Sequence, residues 1–266
     1  MSAPTVIASR IGCVAYLNAR PLIEGLGPGI RLGHPSELAL GLDRGDFDVA
    51  LLPVRAVLER PGAAVVDGVG IASAGPVYSV VIAHAGPVEA LRTVSLDPAS
   101  LTSAQLARVL CAGIPGCRPL FVPGPPPGDL GVPSEGEGRL KIGDQAIAYR
   151  AKHGDALAYL DLGDCWTRRT GLPFVYAVWC FSGGLGAARE HELAELLRTA
   201  AARGARAIPR IAAGAENPGF AERYLTEHIR HRVGPAERAG LARFAAELRG
   251  LELLAPGDAP ESWRWA

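Results

Sequence analysis

The 266-residue chain lacks an excess of either charge: lysine plus arginine number 27, and so do aspartate plus glutamate. That leaves no electrostatic footprint for nucleic acid. It lacks any apolar run near the roughly 18 residues that a membrane helix needs. The opening stretch MSAPTVIASRIG has no basic region followed by an apolar segment, so a secretory leader is not expected. These absences predict a cytoplasmic protein without a membrane partner. The five cysteines, Cys13, Cys111, Cys117, Cys165 and Cys180, are odd in number and contain no C-x-x-C pair. A disulfide framework or zinc ribbon is therefore not expected. Cys13, Cys111 and Cys180 lie in apolar runs and read as small core residues. Lysine is scarce, with only Lys141 and Lys152, which beside the many alanines, glycines and prolines reads as coding bias. No G-x-S-x-G, P-loop, G-x-G-x-x-G or H-E-x-x-H is present, so the hydrolase, kinase and dehydrogenase templates find no purchase.

What is present is alternation of strand and helix. Residues 10–17 read as a strand, 30–33 as a second, and "FDVALLPV" (47–54) as a nearly unbroken apolar one. Such runs suit a parallel sheet covered on both faces. Ser36 is expected to cap a helix that Gly45 ends. "VVDGVGIAS", "GPVYSVVIAH" and "LPFVYAVWCF" give further strands, and "TVSLDPASLTSAQLARVLCAG" reads as strand, loop and helix. "LKIGDQAIAYRAKHG" reads as a short strand and a helix with Asp144 as N-cap and Gly154 as its stop. The Pro/Gly-rich 124–140 stretch is a surface loop. After Gly184 three helices are expected, near 186–203, 218–231 and 235–250, with no further strand. Two long strands, 75–83 and 172–181, bracket the middle of the chain. A chain that leaves one lobe, builds a second and returns does this. The expectation is an α/β fold of two lobes meeting in a cleft, a favoured place for small-molecule sites. Residues 1–82 plus 178–266 form lobe 1, and 83–177 form lobe 2.

Ligands of open α/β sheets bind beyond the carboxyl ends of the strands. Four polar clusters fall there: Tyr16, Asn18 and Arg20; Gly75, Tyr78 and Ser79; Ser100, Thr102 and Ser103; Gly143 and Asp144. The third stands beside the free N–H groups of a helix start, which suit an anion. The same Ser and Thr residues also fit a plain helix cap. Asn18 and Arg20 before Pro21 also fit an ordinary turn, and Asp144 fits an N-cap. Glu227, His228 and His231 have an H-x-x-H spacing on a polar helix face with no third ligand, so no metal site is assigned.

Taken together, "IGCVAYLNARPL", "ELALGLDRGDFDVALLPV", "GIASAGPVYSV", "SLDPASLTSAQL", "IGDQAIAY" and "GLPFVYAVW" resemble, in this order, the chorismate dehydratases of the futalosine route to menaquinone. The resemblance covers about residues 10–180 and more weakly the helical tail. It implies a type II periplasmic-binding-protein-like fold, two α/β lobes joined by two crossing strands, with C-terminal helices. It further implies cofactor-free dehydration of chorismate, a small dianion, to 3-[(1-carboxyvinyl)oxy]benzoate. The family commonly has Ser before Tyr-Leu-Asn where this chain has Ala15, so a hydroxyl contact is missing there. On this reading Asn18 fixes the reacting geometry. Ser79, Ser100, Thr102 and Ser103 hold carboxylates, Arg20 supplies positive charge, and Tyr16, Gly75, Gly143 and Asp144 complete the site. Rival readings are a binding protein for a small carboxylate in the same fold, the dihydroxynaphthoate-forming enzyme of the same pathway, and a ligand sensor.

Overall fold

The computed structural model describes residues 10–27, 29–126, 128–255 and 260–266. The leader-free reading of residues 1–9 lies outside them. Strands β1 (Ile11–Cys13), β2 (Ile30–Leu32), β3 (Val49–Pro53) and β4 (Ala64–Ser73) alternate with helices α1 (Pro35–Asp43) and α2 (Val54–Leu58). The apolar run of β3 makes it central: it lies parallel to β1 and antiparallel to β10 (Phe174–Phe181). The first sheet has the order β11-β4-β10-β3-β1-β2, where β11 is Arg230–Val233 and β12 (Arg264–Trp265) also pairs with β4. The second sheet has the order β7-β6-β8-β5-β9, built from β5 (Val80–His84), β6 (Thr93–Leu96), β7 (Leu120–Pro123), β8 (Glu137–Ile142) and β9 (Ala158–Asp161). Helices α3 (Thr102–Gly113), α4 (Gly143–His153) and α5 (Leu162–Thr170) belong to this half of the chain, and α3 also packs on α2 of the first half. Then α6 (Ala187–Ala213), α7 (Pro218–Arg223) and α8 (Pro235–Gly250) return to the first sheet. None of the helices described is long and apolar enough to cross a membrane.

The chain leaves the first sheet at Ser73 and rejoins it at Phe174, so the expected division at 82/83 and 177/178 cuts through β5 and β10. The strand expected over 75–83 begins only at Val80. Tyr78 sits at φ 66°, and the Asp161 carboxylate takes the N–H groups of Val77 (3.0 Å) and Tyr78 (2.7 Å) that a strand would have given to a neighbour. Arg150 completes this hinge by donating to the Tyr78 carbonyl and stacking on its ring.

Other expectations need correcting. His34, not Ser36, caps α1, because Glu37 reaches back to the His34 N–H at 3.1 Å. The first tail helix runs on to Ala213, since Ile208 and Ala212 stay on its buried stripe. The tail does contain strands: β11 and β12 lie along β4. With sequences Arg-His-Arg-Val and Arg-Trp they carry no clear apolar alternation, as edge strands need not. The helix expected over 218–231 ends as one π-turn, Tyr224–His228, before β11.

Candidate functional site

After β1 the chain turns through a 3₁₀ segment, Leu17–Ile23, that carries Asn18. Helix α6 lies so close to this turn that a Cβ on Gly204 would stand 1.8 Å from the Pro21 carbonyl oxygen. Glycine is therefore required there, and the turn is pressed against a long, rigid helix. His231 on β11 donates from Nε2 to the Asn18 carbonyl at 2.7 Å. Burial lowers the His231 pKa and so favours the neutral imidazole, against the opposing pull of that carbonyl. The Asp144 carboxylate, at the start of α4, accepts the Leu17 N–H at 3.0 Å. Asn18 is thus gripped from the tail and its neighbour from the second sheet.

Two helix starts face this turn. Neither α3 nor α4 has a side-chain cap: Leu101 and Ile142 stand at their N-cap positions. Gly143 has φ 57°, and its would-be Cβ lies 3.2 Å from the Tyr16 ring. A glycine there serves both the backbone and the close approach of the two halves. Its N–H donates to the Ser79 carbonyl at 2.8 Å. Between these elements is a cavity of about 80 Å³. Its polar lining is Tyr16, Asn18, Ser79, Ser100, Thr102, Ser103 and Tyr176, with Gly143 and apolar residues completing the wall. Among the described residues no aspartate, glutamate, lysine, arginine or histidine lines it.

Two of its polar atoms are unusual. Asn18 Oδ1 and Ser100 Oγ are buried with no hydrogen-bond partner. Leaving such atoms unsatisfied costs about 1–3 kcal/mol each, so a partner from outside the chain is the economical explanation. Other groups in the site are already engaged. Thr102 Oγ1 accepts the Arg55 N–H (3.1 Å) and donates to the Tyr176 carbonyl (3.3 Å), tying the α3 start to the first sheet. Tyr224 donates to Ser79 Oγ at 2.7 Å. Around the cavity, burial pushes the carboxyls of Asp144 and Asp97 above the usual range. Burial, then Asp97 and Asp144, push up the Tyr16 phenol.

The structure brings together Tyr16, Asn18, Ser79, Ser100, Thr102, Ser103 and Gly143. It places four other sequence candidates outside the cavity, Tyr78 among them in the hinge. Gly75 donates its N–H to Thr167 Oγ1 at 2.8 Å in the hinge. Arg20 is exposed, and with Asp144 it lines a neighbouring groove beside Tyr78 and Phe220. Asp144 is not the N-cap of α4; its acceptors go across the cleft to Leu17 instead. The H-x-x-H pair is spent on carbonyls: His228 Nδ1 lies 2.9 Å from that of Pro76, and His231 takes that of Asn18. Among the described residues no group of three or more His, Cys, Asp or Glu could hold a metal ion. Sequence reasoning missed Tyr176 and Tyr224, and it named His231 only for its spacing, without a role at Asn18. Their only local signal is a tyrosine or histidine within an otherwise ordinary strand or helix, and their partners lie far away in the chain.

A family model described as menaquinone biosynthesis matches residues 9–249. A curated relative, chorismate dehydratase of Thermus thermophilus, is 29% identical over 266 aligned positions, covering 90% of this chain and 94% of the relative. Among solved structures, a protein from Archaeoglobus fulgidus superposes with TM-score 0.68 at 14% identity, over 94% of this chain and 100% of its own. A Candida albicans protein with the generic periplasmic binding protein fold gives TM-score 0.57 at 12% identity, over 92% of this chain and 90% of its own. The two-lobed periplasmic-binding-protein-like fold is thereby shared.

Proposed function

The chain belongs to the menaquinone biosynthesis family, and from that premise we propose that it dehydrates chorismate to 3-[(1-carboxyvinyl)oxy]benzoate. The observation that supports this best is the charge-free cavity between the two sheets, with two uncapped helix starts and two orphaned polar atoms. Helix starts attract a carboxylate by about 0.3–1 kcal/mol each when exposed and up to roughly 2 when partly buried. Neutral donors can thus hold a dianion without a fixed countercharge to pull it from its reacting geometry.

The elimination breaks the C–H bond beside the enolpyruvyl ether and the neighbouring C–OH bond, and one C=C forms. Proton and hydroxide leave together as water, and the ring becomes aromatic. No oxidant or reductant is consumed. With no titratable carboxylate or imidazole among the described lining residues, the substrate's own side-chain carboxylate takes the proton. The protein contributes orientation, exclusion of water and hydrogen bonds to the departing oxygen. Tyr16 closes the wall against Gly143, Asn18 fixes the reacting centre, and Ser100, Ser103 and the α3 start hold a carboxylate. Gly75 and Asp144 act at the hinge and latch, and Arg20 at the outer groove.

Incubation of the purified chain with chorismate, followed by ultraviolet absorbance and mass analysis, tests this. Loss of 18 mass units (~18 Da, one water) with a new benzenoid spectrum is expected. Asn18→Ala should lower kcat about 10²–10³-fold with little change in KM. Binding of chorismate without conversion would favour the binding-protein alternative.

A further inference from the structure

We propose that Tyr224 is a positioning residue of this dehydration, setting the hydrogen-bond direction of Ser79. The inference rests on the dehydratase reading above. Tyr224 is fully buried and is not part of the cavity wall. It stands at the first position of the π-turn Tyr224–His228, between α7 and β11. Such turns are rare departures from the α-helix that occur often at functional sites.

Each hydroxyl carries one hydrogen to give. The Tyr224 hydroxyl donates its single hydrogen to Ser79 Oγ at 2.7 Å. The hydrogen of Ser79 must then point elsewhere, and Ser79 lines the cavity. Ser79 becomes an obligatory donor to whatever fills that space. Asn18 Oδ1, in the same lining, is buried and unpartnered among the described residues, so it remains as an acceptor. Chorismate as a dianion has a single O–H donor, the ring hydroxyl that leaves in the reaction. The site then reads in one orientation only: ring hydroxyl to Asn18 Oδ1, a substrate oxygen to Ser79. Burial keeps the phenol protonated by pushing its pKa up, which holds the pattern fixed. His231, three residues past the π-turn's close, clamps the Asn18 carbonyl at 2.7 Å. The tail therefore does more than cover the first sheet.

The test compares wild type, Tyr224→Phe, Ser79→Ala and the double variant, with kcat, KM and melting temperature read for each. Tyr224→Phe should lower kcat about 10²-fold while KM stays within about threefold. In the Ser79→Ala background the same change should cost less than about fivefold, because the two residues share one hydrogen bond. A purely structural tyrosine would instead give losses that multiply. Unchanged kcat in Tyr224→Phe, or fully multiplicative losses, would overturn the proposal while the wild type still forms product. No product from the wild type would overturn the dehydratase reading and this proposal with it. If the phenylalanine variant fails to fold, Tyr224→Met fills the space without a hydroxyl and is held to the same outcomes.

Discussion

The first sheet has a hollow at each end of its strands, and the larger one is not the candidate site. At the far end, a groove of about 590 Å³ is bounded by Asp43, Arg60, Glu190 and Arg264 among others. Four of its charges answer one another: Arg60 pairs with Asp43 at 2.7 Å and Arg264 with Glu190, while Arg44 also lines it. Beside it Asp48, 6% exposed, takes Arg10 at 2.7 Å and Arg189 at 3.5 Å. The cleft end holds only about 80 Å³ and no charged side chain in its lining, yet two of its polar atoms are unsatisfied. Size therefore says less about binding than unmet hydrogen-bonding capacity. A self-satisfied groove serves stability. A hollow that leaves neutral donors and acceptors orphaned bears a folding cost that a ligand can refund.

The contrast can be broken most strongly at the far end. Asp48→Ala should cost about 2 kcal/mol of stability by removing charge-assisted hydrogen bonds, with turnover unchanged. Burial alone would raise the Asp48 pKa, but its bonds to Arg10 and Arg189 outweigh that and lower it below 3.8. Its contribution is therefore complete above that unfolded value and lost as pH falls through the folded one. Denaturant titrations across the acid range check both points; a variant with wild-type stability near neutrality would erase the distinction between the two ends.

Ser100→Ala should do the reverse. Removing an orphaned hydroxyl should leave the melting temperature unchanged or slightly raised, while KM rises about tenfold or more for want of a hydrogen bond to a charged group. A fall in melting temperature with KM unaltered would mean that Ser100 is structural.

The smallest effect is expected at the latch. Burial raises the Asp144 pKa above 3.8 despite the Leu17 N–H and Arg20. Between that value and the folded one the native state binds more protons than the unfolded chain, so this residue's contribution falls as pH rises through the window. Asp144→Asn keeps an acceptor for Leu17 and should flatten that slope, with a stability change under about 1 kcal/mol near neutrality. Asp48 and Asp144 thus carry opposite pH dependences at opposite ends of one molecule. Parallel slopes in the two variants would contradict this.

How much of this could be read without coordinates depends on how local each feature is. The apolar run of β3, the glycine that ends a helix, and the polar residues at strand ends are written within a few neighbours. Seven cavity residues were accordingly visible as three short clusters, Tyr16 and Asn18, Ser79, and Ser100–Ser103, together with Gly143. Asp144 was legible as a residue that suits a helix start, but not as a latch, because its partner Leu17 is 127 positions away. The H-x-x-H spacing suggested one shared role, whereas the fold sends the two imidazoles to different carbonyls.

By itself the amino-acid order determined the two-lobed α/β plan and the chemical character of the cleft: neutral, hydroxyl-rich, at helix starts. Periodicity and end signals suffice for that, since they act through neighbours along the chain. Only the tertiary structure decided which hydroxyls are free and which are spent. Thr102 is committed to Arg55 and Tyr176, Ser100 is left over, and Ser79 is turned by a tyrosine 145 residues distant. A hydrogen can be given only once, and no local rule states which group, brought close by folding, receives it.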